Sequence, residues 1–284
     1  LTGNTVLHYH NVIRKSLQTA LKLDLILSNP ADKIERPKKE QYIGTFYSQA
    51  ELNTLFSLIK DDPLKIVIYL ASFYGLRRSE VLGIRWSAID FENKTITISH
   101  KVVTVTNENE DEEVKTKTKM ITKSKTKNKS SYRTFPLFKK IEELLLYTRK
   151  MQEYYMSIFK ESYNKQYKDY VCLDELGNLR KPDYVSHKFK QILKNNGLRE
   201  IRFHDLRHSC ATLLVKKGIS LREIQDWLGH SSSKTTERYA HLDSSTKIKS
   251  ATAIENALSF STKTNNENKD IKKDILDLDS NIPK

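Results

Sequence analysis

Cysteine is nearly missing from this 284-residue chain: only Cys172 and Cys210 occur, far apart in sequence. With no second pair there is neither a disulfide framework nor a zinc site of the usual spacing, and the usage fits a reducing compartment. Long apolar runs are missing too. No stretch approaches the ~20 residues a helix needs to span a bilayer, and no segment has the charge and hydropathy order of a secretory leader. A cytoplasmic protein associated with the nucleoid, with no membrane contact, is the expectation. Nor is there a carboxylate cluster of the kind a two-metal nuclease requires. The chain opens on Leu1 rather than methionine, as a piece of a longer protein does.

Positive charge, by contrast, is abundant. Lysine and arginine number 49 against 35 acids, a formal net charge of +14. A surplus of that size points to a polyanionic partner, although basic ribosomal and membrane-surface proteins share it. The last 24 residues, from Ser261, carry five lysines and five acids, so the whole surplus sits on the body of the chain. Past Phe260 the composition is that of a disordered tail.

The length allows one large domain plus a smaller piece. Apolar residues at Val6, Leu7, Ile13, Leu17, Ala20, Leu21 and Leu25 predict a helix over 5–27, broken at Asn29-Pro30. A basic linker with Lys33, Arg36, Lys38 and Lys39 leads to Ser48 and Glu51, which fit a capping box. The run 64–74 is nearly all apolar and predicts a buried helix. Residues 94–106 switch to β-branched, period-two character and predict a strand. Helices are expected over 137–165, 182–195, 204–217 and from Ser220 to Gly229, with another near Ser233 that carries Tyr239. Ile248, Ala251, Ile254 and Leu258 predict an amphipathic helix over 246–259. The expected fold class is mainly α with a small antiparallel β-sheet (α+β).

After an acidic turn at 107–113, lysines recur at odd positions: Lys115, Lys117, Lys119, Lys123, Lys125, Lys127 and Lys129. On a strand, period two places all these ammonium groups on one face, a comb suited to a phosphate backbone. A solvated lysine-rich hairpin is the plainer alternative.

Four residue types toward the C-terminus fit one chemistry. His204 and Arg207 stand three apart on one helix face; His230 follows Gly229, and Tyr239 lies nine residues on. Together with Arg77 upstream, these are the parts of a phosphate-cleaving site with a tyrosine nucleophile. No single residue carries the signal: the chain has 14 tyrosines, most of which serve packing.

The motifs in order are Tyr74-Gly-Leu-Arg77-Arg-Ser-Glu80-Val-Leu-Gly-Ile-Arg-Trp86 followed by Asp90, then Lys127-Asn-Lys-Ser-Ser-Tyr-Arg133-Thr-Phe-Pro-Leu137. His204-Asp-Leu-Arg207-His208, Leu228-Gly-His230 and Tyr239 come last. In these the chain resembles the tyrosine recombinase (integrase) family, particularly integrases of Gram-positive phages and conjugative transposons. The resemblance covers about residues 46–242. It implies a catalytic domain over 46–260 with a β-hairpin insertion at about 95–131. Residues 1–40, with Asn29-Pro30-Ala31-Asp32, are similar to the latter half of the family's helical core-binding domain.

By the same resemblance Tyr239 attacks the scissile phosphate, leaving a 3′-phosphotyrosyl link and a free 5′-hydroxyl. Arg77 and Arg207 offer forked donors to the non-bridging oxygens, and His230 adds a hydrogen bond. Lys127 protonates the 5′-oxygen, with Lys125 the alternative, and His204 assists proton transfer at the phenol. Glu80 orients an arginine or fixes the fold rather than performing chemistry. The odd-numbered lysines and Arg133 are the expected DNA contacts. The phosphodiester's energy is kept in the covalent link, so no cofactor, ATP or metal is implied. The implied partners are double-stranded DNA and three further copies in a homotetramer, with 246–259 docking on a neighbouring protomer. Two other functions fit the residues: a type IB topoisomerase-like relaxase, and a basic DNA-binding protein without catalysis.

Overall fold

In the computed structural model the chain is described over residues 2–36, 44–106, 118–124, 132–237, 239 and 254. It divides into two compact units, Leu1–Phe46 and Tyr47–Lys284. Among the described residues no helix is long and apolar enough to cross a membrane.

The first unit is one long helix and a tight turn. Helix α1 (Gly3–Lys22) is capped by Thr2, whose side chain accepts from the Thr5 amide. It ends five residues short of the predicted limit. Asn29 then caps a 3-10 turn (Pro30–Lys33) and donates its side-chain amide to the Arg14 carbonyl, while Arg14 pairs with Asp32. Helix α1 has no buried residue, and Val6, Tyr9, Val12 and Ile13 are all exposed.

The second unit is built around helix α3 (Lys65–Tyr74), in which Val67, Ile68, Leu70, Ala71 and Tyr74 are buried. Each such aliphatic side chain contributes roughly 1.5–3 kcal/mol by leaving water. Helix α2 (Gln49–Leu58) starts at Ser48 with both bonds of the predicted capping box to Glu51. A short helix α4 (Arg78–Val81) follows α3 across the Gly75 turn.

The predicted strand 94–106 is two strands, interrupted at Ser99. Strand β2 (Thr95–Ile98) lies between β1 (Ile89–Asp90) and β5 (Arg133–Pro136) in an antiparallel sheet. Strand β3 (His100–Thr106) pairs instead with β4 (Thr118–Ser124), in a register that sets Lys101 opposite Lys123 and Val105 opposite Lys119. The remainder is helical: α5 (Lys139–Phe159), α6 (Pro182–Asn195), α7 (Asp205–Lys216), α8 (Leu221–Leu228) and α9 (Ser233–Glu237). The fold is thus mainly α with small antiparallel sheets, as the sequence predicts.

An aromatic group locks β5 to the helices. Tyr74, Phe135, Phe138 and Trp227 stack at centroid distances between 4.8 and 6.4 Å. The Tyr74 hydroxyl donates to the Pro136 carbonyl at 3.1 Å, and burial pushes its pKa up to about 12. Strand β5, the end of α3 and the face of α8 therefore move as one piece. The site stands on that piece.

Candidate functional site

Helix α8 begins at Ser220 with a capping box to Glu223 and ends at Gly229, whose left-handed φ of 65° stops the helix. The last carbonyls of any helix lack partners within it and carry the negative end of its dipole. Here arginines fill them. Arg207 donates to the Leu228 carbonyl at 2.8 Å, Arg133 donates to that same oxygen, and Arg77 reaches the Gly229 carbonyl at 3.4 Å. Arg207 also donates to the Gly75 carbonyl at 2.6 Å. Gly75 sits at φ 61°, and a Cβ there would lie 2.4 Å from Leu228 Cδ2. A glycine is needed for that turn to come so close to α8.

Glu80 is the counter-charge. It is 1% exposed, its Oε1 accepts from Arg77 at 2.9 Å, and its Oε2 accepts from Arg133 at 2.8 Å. It also closes the N-terminus of α4 through the Arg77 amide. Among the described residues, three guanidiniums around one carboxylate leave two positive charges in excess. That excess shows in the titration: Arg207 is brought down to about 9, first by burial and then by Arg77, with Glu80 opposing. Arg133 is lowered also, by burial first.

Tyr239 lies two residues beyond the end of α9, not on a helix as predicted, and its amide is held by the Thr236 carbonyl. Its side chain is buried, close enough to Arg207 for the phenol to act on that guanidinium, and its hydroxyl is hydrogen-bonded to His208 Nδ1. His230, turned inward by Gly229, is buried with Nδ1 2.8 Å from the Thr236 hydroxyl. His204 occupies the N-cap of α7 and keeps solvent access. Burial first, and Arg207 second, lower its pKa, so its ring is neutral near pH 7.

The structure thus brings together Arg77, Arg207, His230 and Tyr239, with His204 at the edge. Arg133, an expected DNA contact, is 8% exposed and is bound to Glu80 and to the end of α8. Lys115, Lys117, Lys125, Lys127 and Lys129 lie outside the described residues, while Lys119 and Lys123 fall on the backbone of β4. His208 was given no role from sequence. Its one signal was its position a helical turn beyond His204, on the same face. Cys172 and Cys210 are buried and free, and burial raises both thiols to about 12.

The chain is similar to known proteins in sequence and in fold. The model of the phage integrase family matches residues 46–246. A tyrosine recombinase XerC-like protein of Caldanaerobacter subterraneus subsp. tengcongensis is 29% identical over 250 residues, 85% of this chain and 63% of that protein. Tyrosine recombinase XerC of Pediococcus pentosaceus is 27% identical over 239 residues, 82% of this chain and 69% of its own length. Among solved structures, the Tn1549 transposon integrase in complex with transposon right end DNA gives a TM-score of 0.70 at 20% identity, covering 89% of this chain and 80% of that one. A lambda integrase tetramer bound to a Holliday junction gives 0.55 at 17% identity, covering 79% and 57%. At such identities the structural likeness is one of fold. The family match spans most of the chain, and the chain belongs to the phage integrase family of tyrosine recombinases.

Proposed function

We propose that this chain is the catalytic part of a site-specific DNA recombinase that cuts and rejoins strands through a 3′-phosphotyrosyl link at Tyr239. The observation that carries this reading is the burial of the Tyr239 phenol beside Arg207, in a cluster with two positive charges in excess. A phosphodiester entering there meets forked donors on Arg77 and Arg207 and a nucleophile already at hand. Lys127, or Lys125, supplies the leaving-group proton from the hairpin. Residues 1–40 are the latter half of a helical core-binding domain with its linker, and 46–260 are the catalytic domain; a division of the chain near residue 46 supports this reading.

DNA is the partner, gripped by the hairpin lysines. On the backbone, Lys101 of β3 and Lys123 of β4 register opposite one another. With about six phosphates neutralised, affinity falls ~10³ between about 50 and 200 mM salt. Integration and excision of a mobile element is the reading that a transposon integrase and a tetrameric lambda integrase among the structural neighbours suggest; docking of residues 246–259 on a neighbouring protomer belongs to the same proposal.

A nicked suicide duplex tests the chemistry. Wild type leaves a covalent protein–DNA adduct and Tyr239→Phe leaves none; an adduct formed by the phenylalanine variant refutes the assignment. Exchange between two marked sites supports recombination, whereas relaxation of any plasmid by a monomer supports a relaxase. A truncation after Ser245 that still assembles a synaptic tetramer removes the role given to 246–259.

A further inference from the structure

The imidazole that touches the tyrosine is not the one that motif spacing singles out. His208 lies on α7, 8% exposed, and its Nδ1 is hydrogen-bonded to the hydroxyl of Tyr239, itself 5% exposed. His204 stands beside it edge to face, ring centroids 5.2 Å apart, nearer the solvent and with no hydrogen bond to the phenol. We infer that His208 is a catalytic residue, which takes the proton from Tyr239 as the phenolic oxygen attacks phosphorus and gives it back when the strand is rejoined. The inference rests on the phosphotyrosyl reading above.

A phenol titrates near ~10 and is protonated at neutral pH, so its proton must leave at or before attack. With the His208 proton on Nε2, Nδ1 accepts the Tyr239 O–H. The proton passes to Nδ1 as the bond from Oη to phosphorus forms. The bond from phosphorus to the 5′-oxygen breaks, and that oxygen takes a proton from the hairpin lysine. One proton enters the imidazole and one leaves the lysine, with no co-reactant. In the reverse direction the 5′-hydroxyl displaces the phenolate, which recovers its proton from the imidazolium.

Among the described residues, the charged and titratable groups close to His208 are His204 and Arg207 on its own helix and Tyr239 beyond α9. A bound phosphate gathers negative charge as the transition state forms, which favours the proton on the imidazole when attack occurs. His204 has the opposite placing: exposed, at the rim, and one ring removed from the nucleophile.

The test is single-turnover cleavage of the suicide duplex by the full chain. His208→Ala is expected to slow adduct formation by about 10²–10³ with duplex affinity unchanged. Added imidazole, diffusing into the space left, is expected to restore about tenfold of that loss. His208→Asn keeps an amide near the Nδ1 position, able to bond the phenol but unable to carry its proton, and stays as slow as the alanine variant without rescue. If His208→Ala does not fold, His208→Asn decides alone. Three results overturn the inference: asparagine restoring cleavage to within about threefold of wild type, alanine cleaving at the wild-type rate, or imidazole rescuing His204→Ala and not His208→Ala. Absence of an adduct from wild type would strike the phosphotyrosyl reading itself, before any histidine is compared.

Discussion

Glu80→Gln removes the one negative charge that three guanidiniums share, and the structure says how much that should cost. The Glu80 side chain is 1% exposed and its partner Arg133 7%, at 2.8 Å. Breaking a buried ion pair by neutralising one member costs about 3–5 kcal/mol, because the other charge stays desolvated and unpaired. Arg77 is 41% exposed at its own 2.9 Å bond, so water takes over and its share is at most ~1 kcal/mol. Glutamine keeps one acceptor oxygen, which places the total near the lower limit, ~3 kcal/mol. For a domain of this size each kcal/mol moves the midpoint by about 2–4 °C, so melting followed by circular dichroism should fall by ~6–12 °C. Adding Arg133→Met removes the stranded charge and should recover part of the loss, a coupling that a double-mutant cycle reads directly. A midpoint within ~2 °C of wild type, or a double variant no better than Glu80→Gln, would falsify the view that this carboxylate holds the cluster.

Three further outcomes follow from the same geometry. Burial lowers the folded-state pKa of both His204 and His100 below the ordinary imidazole value, so below about pH 6.5 the unfolded chain binds more protons than the folded one. Stability should therefore drop as pH falls from about 7.5 to 5.5, with a shallower slope in His204→Asn, as urea midpoints will show. A Cβ at Gly83 would lie 2.6 Å from the His100 carbonyl oxygen and the Lys101 Cα. Those are backbone atoms of β3, so Gly83→Ala should cost about 1–3 kcal/mol in chemical denaturation and displace the base of the hairpin. Tyr74→Phe deletes only the hydroxyl that bonds Pro136, and about 1 kcal/mol is the expected loss; no change would mean that the aromatic stack alone holds β5.

What the sequence made legible was local. Ser48 with Glu51 and Ser220 with Glu223 announce helix starts because both partners lie within one turn, and both capping boxes are formed. The apolar run of α3 could only be buried. Pairings across long separations were not legible. Residues 95–106 are largely β-branched on both sides of Ser99, yet β2 joins β5 while β3 joins β4, partners that lie far off in the chain. Arg133 read as another cation of a basic hairpin until its register on β5 placed it opposite Ile98, with its guanidinium on Glu80. Of the site, the residue types and their order were visible. The contact of His208 with Tyr239 depends on where the chain beyond α9 places that phenol, and no spacing encodes the placement.

The tip of α8 offers main-chain oxygens, and these belong to no side chain. Substitution at Leu228 alone leaves both acceptors in place, so the arginine anchorage tolerates change of residue there. It has no such tolerance for geometry: inserting or deleting a single residue in α8 rotates its terminal carbonyls by about 100°. Arg77, Arg133 and Arg207 would then lose their common mooring together. The length of α8 is therefore held by chemistry that happens on other segments.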